Sequence, residues 1–162
     1  MAVTERPRGT PKDRALRLLG VRARSREELR RRLRQAGFEE EEIAPALEDL
    51  EGVGLIDDER FAREVATMEM VRRQGGRRAA LASLRRRGIA PDLAEQVVEE
   101  EAPPDEEHRA LEVARTRLAR MNGLGNDVVY RRLVSFLQRR GYDAHTAYDA
   151  ARAALSERGE GR

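Results

Sequence analysis

Apolar residues recur three and four positions apart along most of the chain, and one version of this pattern is written three times. In each copy, two apolar residues four apart precede a glycine that is followed by a bulky residue. The copies are Leu29, Leu33, Gly37 and Phe38; Ala80, Leu84, Gly88 and Ile89; and Leu133, Leu137, Gly141 and Tyr142. Residues four apart share one helical face, and a glycine just beyond supplies the left-handed cap that ends a helix. Because the glycines recur at intervals of about 50 residues, the pattern predicts a tandem helical repeat.

Capping signals and glycines divide the chain into nine predicted helices. Their expected bounds are about 11–22, 26–36, 40–51, 58–73, 77–87, 91–101, 106–121, 127–140 and 144–157. No segment alternates apolar and polar residues with period two, so we predict no sheet. The expected fold is all-α, an extended tandem array of three three-helix repeats.

Loop signals set the expected repeat boundaries. Repeats are predicted at 11–56, 57–104 and 105–157, with a disordered tail at 1–10 and a flexible tail at 158–162. Pro103-Pro104 is the clearest linker, and Asp105 is a candidate cap for the helix that follows. Ser25 and Glu28 form a capping-box pattern at the start of the second helix.

The segment around residue 57 carries the densest local signal. Asp57 is predicted to cap the fourth helix, which puts Ile56 and Phe61 at the two positions of a hydrophobic staple. Asp58 is expected beside the positive end of the helix dipole. We interpret Asp57, Asp58, Phe61 and Ala62 as structural, together with the repeated glycines Gly37, Gly88 and Gly141.

Composition narrows the class of protein. Charged residues make up 38% and aromatic residues 4%, so the core must be built from Leu, Val, Ile and Ala. The absence of cysteine excludes disulfides and fits a reducing compartment. No apolar stretch approaches the roughly 20 residues needed to cross a bilayer, and the first ten residues lack the apolar middle of a signal peptide. We therefore expect a cytoplasmic protein, monomeric and without membrane contact.

Charge alternates in blocks along the chain. Arginines dominate 22–34 and 72–87, whereas acids dominate 39–51 and 92–107. Nearly all the cations are arginine, with Lys12 as the single lysine. Arginine suits bidentate phosphate or carboxylate binding, although a GC-biased genome would give the same skew. In the first block, Glu27 and Glu28 stand four residues before Arg31 and Arg32, a spacing that pairs on a helix.

The second basic block contains no acid, so its arginines are expected to remain unpaired. Gly75-Gly76 lies among them, and its backbone amides could also reach a phosphate. We predict an anion-binding surface there, for nucleic acid or an acidic protein face. The candidate residues are Arg72, Arg73, Arg77, Arg78, Arg85 and Arg86, with Arg30, Arg31 and Arg34 from the first block. A weaker group of candidates for the same anion-binding surface consists of Arg131, Arg132, Arg139 and Arg140.

The residues of a catalytic or metal site are missing from the pattern. His108 and His145 stand alone, so neither suggests a metal cluster or a catalytic pair. Asp57, Asp58 and Glu59 could be imagined as nuclease carboxylates, but helix capping explains them more simply. We expect a non-enzyme with no metal and no cofactor.

Several segments of the chain resemble one known protein family. The segment from Gly54 to Ala62, with its Asp57-Asp58-x-x-Phe61-Ala62 core, resembles the bacterial RecX regulatory proteins, as do the arginine-rich helix after it and Gly88-Ile89. The opening Ala15-Leu16-x-Leu18-Leu19 and Arg24-Ser25-x-Glu27-x-Leu29 resemble the same family. The resemblance covers roughly residues 14–155.

The resemblance implies a modulator of RecA, the recombinase that polymerises on single-stranded DNA. Members are understood to lodge in the groove of the RecA filament, block its growth or promote its loss, and so reduce ATP hydrolysis, strand exchange and coprotease action. This would affect recombination, DNA repair and the SOS response. Direct contact with single- or double-stranded DNA is left open by the unusually acidic third helices. Two alternatives also remain: a helix-turn-helix-like module acting on nucleic acid directly, and a structural adaptor for another acidic partner.

Overall fold

The computed structural model describes residues 9–160, and within that range the chain forms nine α-helices and no strand. The helices are α1 (Pro11–Val21), α2 (Arg26–Gln35), α3 (Glu40–Gly52), α4 (Asp58–Thr67), α5 (Arg77–Arg86), α6 (Pro91–Glu101), α7 (Glu106–Leu118), α8 (Asn126–Arg139) and α9 (Ala144–Glu160). The prediction of an all-α fold with nine helices is confirmed. Residues 1–8 and 161–162, which carry most of the two predicted tails, lie outside the described residues.

The predicted caps are correct at several helix starts. The Ser25 hydroxyl accepts from the Glu28 amide at 3.1 Å, and the Glu28 carboxylate accepts from the Ser25 amide at 3.2 Å. Asp57 Oδ1 accepts from the Arg60 amide at 3.0 Å. These side chains satisfy backbone donors that have no partner inside the helix. The starts of these two helices could therefore be predicted from their capping residues.

One predicted cap differs in detail, and two predicted boundaries were wrong. Asp105 is the N-cap of α7 as expected, but it has a φ of +63° and makes no side-chain capping hydrogen bond. Gly125, and not Asn126, is the N-cap of α8. The last helix was expected to end at 157 but continues through Glu160, so Gly159 lies inside it. A glycine weakens a helix without forbidding it.

The end of α4 departs from regular helix. Met68–Arg72 is π-helical, a conformation with more residues per turn than an α-helix. The helical period that buries Phe61 and Val65 predicts that Met68 also faces inward, but 39% of Met68 is exposed, whereas Met70 is fully buried. The extra residue in the turn moves side chains around the helix axis, which the α-helical period could not anticipate.

Cα proximity divides the chain into two compact units. Unit 1 comprises residues up to Glu64 together with Leu84–Val97, and unit 2 comprises Val65–Ser83 together with Val98 onward. The predicted repeat boundaries at 11–56, 57–104 and 105–157 stay a prediction. Each unit has a core of its own.

The core of unit 1 lies where α1, α2 and α3 pack together. Its fully buried side chains come from the apolar faces identified in the sequence: Ala15, Leu29, Leu33, Ile43, Leu47, Leu50 and Ile56. Leu16, next to Ala15 on α1, is 41% exposed and lies outside this core. The core of unit 2 lies where α9 packs against α7 and α8. Tyr142 is its largest fully buried side chain.

Unit 1 contains a joint at the N-terminus of α2, which we name the first joint. The amide of Arg26, the first residue of α2, donates to Asp58 Oδ1 at 2.8 Å. The Ser25 hydroxyl donates to the carbonyl of Arg87, and Arg31 Nη1 donates to the carbonyl of Arg86 at 3.1 Å. The start of α2 is thus held by the start of α4 and by the turn after α5.

Unit 2 contains a second joint with the same plan at the N-terminus of α5. The amide of Arg77, the first residue of α5, donates to Glu106 Oε1 at 3.0 Å. The Gly76 amide donates to the Arg140 carbonyl at 2.9 Å, and the Arg78 amide donates to the Gly141 carbonyl at 3.1 Å. The start of α5 is therefore held by the start of α7 and by the turn after α8.

The repeated glycines have a second role in these joints. Gly88 and Gly141 have positive φ angles of +75° and +92°, as expected of left-handed helix caps. A Cβ at Gly88 would overlap Glu27, and a Cβ at Gly141 would overlap the backbone of Ala79. Both positions require glycine for its conformation and also for the close approach of another helix.

Candidate functional site

The sequence-predicted arginines of α2 are mostly engaged by acids. Arg30 and Arg34 both pair with Glu40, the latter at 2.8 Å between Nη2 and Oε2. The hydrogen bond from Arg30 lowers the pKa of Glu40, with a further contribution from Arg34. Arg31 pairs with Glu27 at 3.1 Å, as its spacing indicated. These arginines are therefore neutralised within the fold.

Unit 1 nevertheless contains an open cleft of about 340 Å³ with an excess of positive charge. Five arginines line it together with Glu28 and Gln35: Arg22, Arg24, Arg31, Arg32 and Arg86. We name it the α2–α5 cleft. The structure thus brings predicted Arg31 and Arg86 together, and adds three neighbours that were assigned to a basic block but not to the site.

The acid that lines the α2–α5 cleft, Glu28, already has arginine partners. Glu28 pairs with Arg22 at 3.1 Å and with Arg87 at 3.7 Å, besides capping α2. Burial lowers the pKa of the Arg24 guanidinium, and the charges of Arg22 and Arg32 lower it further. Crowded like charges repel, so an anion entering this cleft would be stabilised.

The expectation that the second basic block is unpaired was wrong for three residues, of which Arg87 pairs with Glu28 as described above. Arg77 pairs with Glu99 of α6 and with Glu106 of α7, the latter at 3.3 Å. Arg73 pairs with Glu69 at 3.0 Å. Local sequence showed no acid within the block, but neighbouring helices supply them in three dimensions.

The other members of that block keep exposed side chains. Among the described residues, Arg72, Arg78, Arg85 and Arg86 have no carboxylate within ion-pairing distance. Arg85 and Arg86 lie in the last turn of α5 and belong to unit 1. Arg72 and Arg78 belong to unit 2. Asp143 has a lowered pKa, chiefly because it accepts from the Thr146 amide, with a smaller contribution from the Arg78 charge.

The backbone of Gly75-Gly76 does not form the expected phosphate site. Both glycines are buried, and the Gly75 amide donates to the Glu69 carbonyl at 2.9 Å. The Gly76 amide donates to the Arg140 carbonyl in the second joint. Since both donors are satisfied within the chain, this part of the prediction was wrong.

The residues predicted to be structural lie in structural positions. Phe61 and Ala62 are buried, and the Arg87 guanidinium lies 5.8 Å from the centre of the Phe61 ring. Asp58 is half-buried, and this desolvation raises the pKa of its carboxyl group. Gly37 has a φ of +92° and is exposed.

A second cleft, of about 770 Å³, lies between α7 and α8 in unit 2. Its cationic lining consists of Arg117, Arg120, Arg131, Arg132 and Arg139. We name it the α7–α8 cleft. Arg131, Arg132 and Arg139 were expected from the sequence to extend the anion-binding surface more weakly, whereas Arg117 and Arg120 were not predicted. Arg140 was expected with them but does not line the cleft: it donates to the Arg73 carbonyl and stacks over Phe136.

The described residues form neither a metal-binding group of side chains nor a membrane-spanning helix. From residue 9 to residue 160, no three His, Cys, Asp or Glu side chains are grouped so as to hold a metal ion. None of the helices described above is long and apolar enough to span a membrane.

Comparison with known sequences identifies the domains. Residues 12–50 match the first three-helix domain of RecX, and residues 57–98 match the second. Regulatory protein RecX of Amycolatopsis mediterranei is 37% identical over 142 residues, which cover 88% of this chain and 81% of the relative. Regulatory protein RecX of Mycolicibacterium smegmatis is 38% identical over 151 residues, covering 91% and 80%.

Comparison with solved structures agrees on the fold. The crystal structure of RecX from Lactobacillus salivarius superposes with a TM-score of 0.74 at 20% identity, covering 91% of this chain and 93% of that one. With domain matches across α1–α6 and relatives of more than 35% identity along most of the chain, the chain belongs to the RecX family of regulatory proteins.

Proposed function

We propose that this chain is a non-enzymatic regulator of RecA, acting in the cytoplasm as a monomer. It binds the filament that RecA forms on single-stranded DNA and inhibits filament extension, ATP hydrolysis, strand exchange and coprotease action. Membership of the RecX family supports the RecA-directed part of this proposal. The finer statements are expectations to be tested.

The observation that carries the proposal is the α2–α5 cleft. It joins Arg32 of α2 with Arg86 of α5 around one opening, and its acid already has partners. Arg31 lies beside them but pairs with Glu27. Exposed arginines without a carboxylate partner are available to an anionic surface, whether an acidic protein face or a nucleic-acid backbone. Arg85 extends the same end of α5.

Ion pairing refines which of the predicted arginines are proposed to contact the filament, and the α2–α5 cleft adds Arg32 to them. Arg32, Arg85 and Arg86 are the strongest members in unit 1, and Arg72 and Arg78 in unit 2. Arg30, Arg34, Arg73 and Arg77 are proposed as lesser contributors, because each would first have to leave a carboxylate.

The test is inhibition of the single-stranded-DNA-dependent ATPase of RecA. The variant Arg32→Ala/Arg86→Ala removes two exposed, unpaired charges from the cleft. The matched control, Arg60→Ala/Arg152→Ala, removes two exposed arginines that already have local acid partners. We expect the cleft variant to need about tenfold more protein for half-inhibition, a loss of about 1.4 kcal/mol in binding, and the control to resemble the parent chain.

Two outcomes would count against the proposal. If the parent chain does not slow RecA ATP hydrolysis, the RecA assignment fails. If the cleft and control variants lose inhibition equally, net charge alone matters and the cleft has no special role. Matching thermal unfolding of the variants would show that both remain folded.

The second candidate function is a DNA-binding module that acts without RecA. Two arginine-lined clefts favour it, because arginine is a preferred ligand of phosphate. This candidate requires tight binding to naked DNA, with affinity that falls by about 0.9 log unit per log unit of salt for each phosphate contacted on a duplex.

A further inference from the structure

The α7–α8 cleft, of about 770 Å³, plays no part in the RecA regulation proposed above. Its cations come from the end of α7, the turn after it and the length of α8. The remaining lining residues are neutral: Met121, Asn122, Leu124, Val128 and Ser135. No acid lines this cleft, in contrast to the α2–α5 cleft.

Most of its arginines have no competing carboxylate. Within the described part of the chain, Arg120, Arg132 and Arg139 have exposed side chains and no ion pair. Arg131 is held only weakly, by a 3.4 Å hydrogen bond from Nε to the carbonyl of Asp127. The Arg117 guanidinium lies 5.0 Å from the centre of the Phe136 ring, which orients it without neutralising it. The formal net charge of the whole chain is only +2, so this is a local concentration of charge.

The spacing of the cleft arginines suits a repeating anion. Arg132 and Arg139 lie seven residues apart on α8, and therefore about 10 Å apart along its axis. Successive phosphates of one B-form strand rise by about 3.4 Å along the duplex axis, so about three steps span this distance. A single small anion would leave one of these two arginines without an anionic partner.

The neutral residues distinguish a nucleic-acid backbone from the alternatives. Arginine, serine and asparagine are the residue types that contact phosphate oxygens, and all three are present. No aromatic ring is among the lining residues, so bases cannot stack there. Protein interfaces rely on buried aromatic anchors at their centres, and such an anchor is also lacking.

We infer that the α7–α8 cleft is a sequence-independent binding site for the phosphodiester backbone of nucleic acid. It holds the backbone by bidentate contacts from Arg132 and Arg139, with Ser135 between them on the same helix. Single-stranded and duplex DNA share this chemistry. The site does not depend on RecA, and its failure would leave the proposed RecA regulation unaffected.

The test uses the full chain and short fluorescein-labelled DNA of mixed sequence, single-stranded in one arm and duplex in the other, without RecA. Anisotropy over a series of salt concentrations gives the Kd and its salt dependence. For Arg132→Ala/Arg139→Ala we expect about tenfold weaker binding. The slope of log affinity against log salt should fall by about 0.7 for each lost contact on single strands, and by about 0.9 on duplex.

Matched controls separate the site from net charge and from folding. Arg60→Ala/Arg152→Ala removes the same charge elsewhere and should leave the Kd and the salt slope unchanged. A second pair, Ser135→Glu and Ser156→Glu, adds one negative charge to an exposed helical serine inside or outside the cleft. Only the first should weaken binding.

Three results would overturn the inference. The parent chain could fail to bind either DNA, the cleft and control variants could lose affinity equally, or a labelled polyglutamate peptide could bind the cleft more tightly than DNA. The last result would show that the cleft recognises an acidic protein. A stronger loss in one DNA arm would identify which form of the backbone the cleft holds.

Discussion

The two joints hold the start of one helix in the same way but with different acids. In the first joint, the Arg26 amide donates to Asp58, while the Arg26 side chain pairs elsewhere, with Glu51 at 3.5 Å. In the second joint, Glu106 accepts from the Arg77 amide and also pairs with the Arg77 side chain. One acid is therefore a cap alone, and the other is both a cap and an ion-pair partner.

This difference explains why Arg77 was wrongly expected to be unpaired. Its side chain lies at a joint, between carboxylates of the two helices that follow α5. The acidic third helices likewise supply partners for basic residues: Glu40 and Glu51 of α3 pair with arginines of α2, and Glu99 of α6 pairs with Arg77. The acidic blocks thus neutralise part of the basic blocks within the fold. Arginines beyond their reach remain as candidates for binding.

The largest expected effect comes from filling the second joint. Gly141→Ala should lower the free energy of unfolding by about 2–5 kcal/mol, because left-handed strain of about 1–2 kcal/mol adds to overlap with the Ala79 backbone. Gly88→Ala should cost less, since it meets the Glu27 side chain and not backbone. Gly37→Ala, at an exposed turn with a φ of +92°, should show the left-handed strain. Urea denaturation checks the order, and equal losses at all three glycines would contradict the joints.

The second prediction removes the charge of each joint acid while keeping an oxygen that can accept. Glu106→Gln should lower the stability by up to about 1 kcal/mol, because it loses the ion pair with Arg77. Asp58→Asn should raise the melting temperature at neutral pH, since it relieves the cost of a desolvated carboxylate. Thermal unfolding measures both. Opposite signs support the comparison, whereas equal destabilisation would mean that both acids act as ion-pair partners.

The third prediction concerns pH and follows from the raised pKa of Asp58. The folded chain holds the Asp58 proton more tightly than the unfolded chain, whose aspartates titrate near the ordinary value of about 3.9. This contribution to stability is complete below about pH 3.9 and is lost as the pH rises through the raised pKa. The stability advantage of Asp58→Asn over the parent should therefore be greatest at neutral pH and disappear in acid. An advantage that does not change with pH would contradict the burial of this charge.

The smallest expected effect separates structural from binding arginines. Arg77→Ala should lower the melting temperature by about 2–4 °C, as expected for a loss of about 1 kcal/mol in a chain of this size, with little change in RecA inhibition. Arg32→Ala should leave the melting temperature unchanged and weaken inhibition. Calorimetry and the ATPase assay on the same preparations decide the matter. The reverse pattern would return Arg77 to the binding surface.

The elements of the fold were predictable because their signals are local. Ser25 with Glu28, and Asp57 before Phe61, are complete capping patterns within a few residues, and the glycines after α2, α5 and α8 end those helices. The π-helical segment at Met68–Arg72 leaves no such signal. Nor does the close approach at Gly141, because it depends on Ala79 from a distant helix.

The candidate site was less predictable because charge pairing is decided by distant residues. Arg77 and Glu106 are separated in sequence by two helices, α5 and α6. Arg86 is likewise distant in sequence from the other arginines of the α2–α5 cleft. The α7–α8 cleft could not be predicted from the sequence as one site, because its arginines come from two helices and the turn between them. A block of arginines in the sequence therefore indicates a basic segment, but the fold decides which of its arginines are free of carboxylate partners and available to bind an anion.

The central claim is that the chain recognises the RecA filament and not merely DNA. The most direct measurement is binding of the labelled full chain to RecA filaments assembled on single-stranded DNA with a slowly hydrolysed ATP analogue, compared with the same DNA without RecA at the same salt. We predict at least about tenfold tighter binding to the filament, a difference of about 1.4 kcal/mol. Equal affinity for both, or tighter binding to naked DNA, would contradict the claim and favour the DNA-binding module.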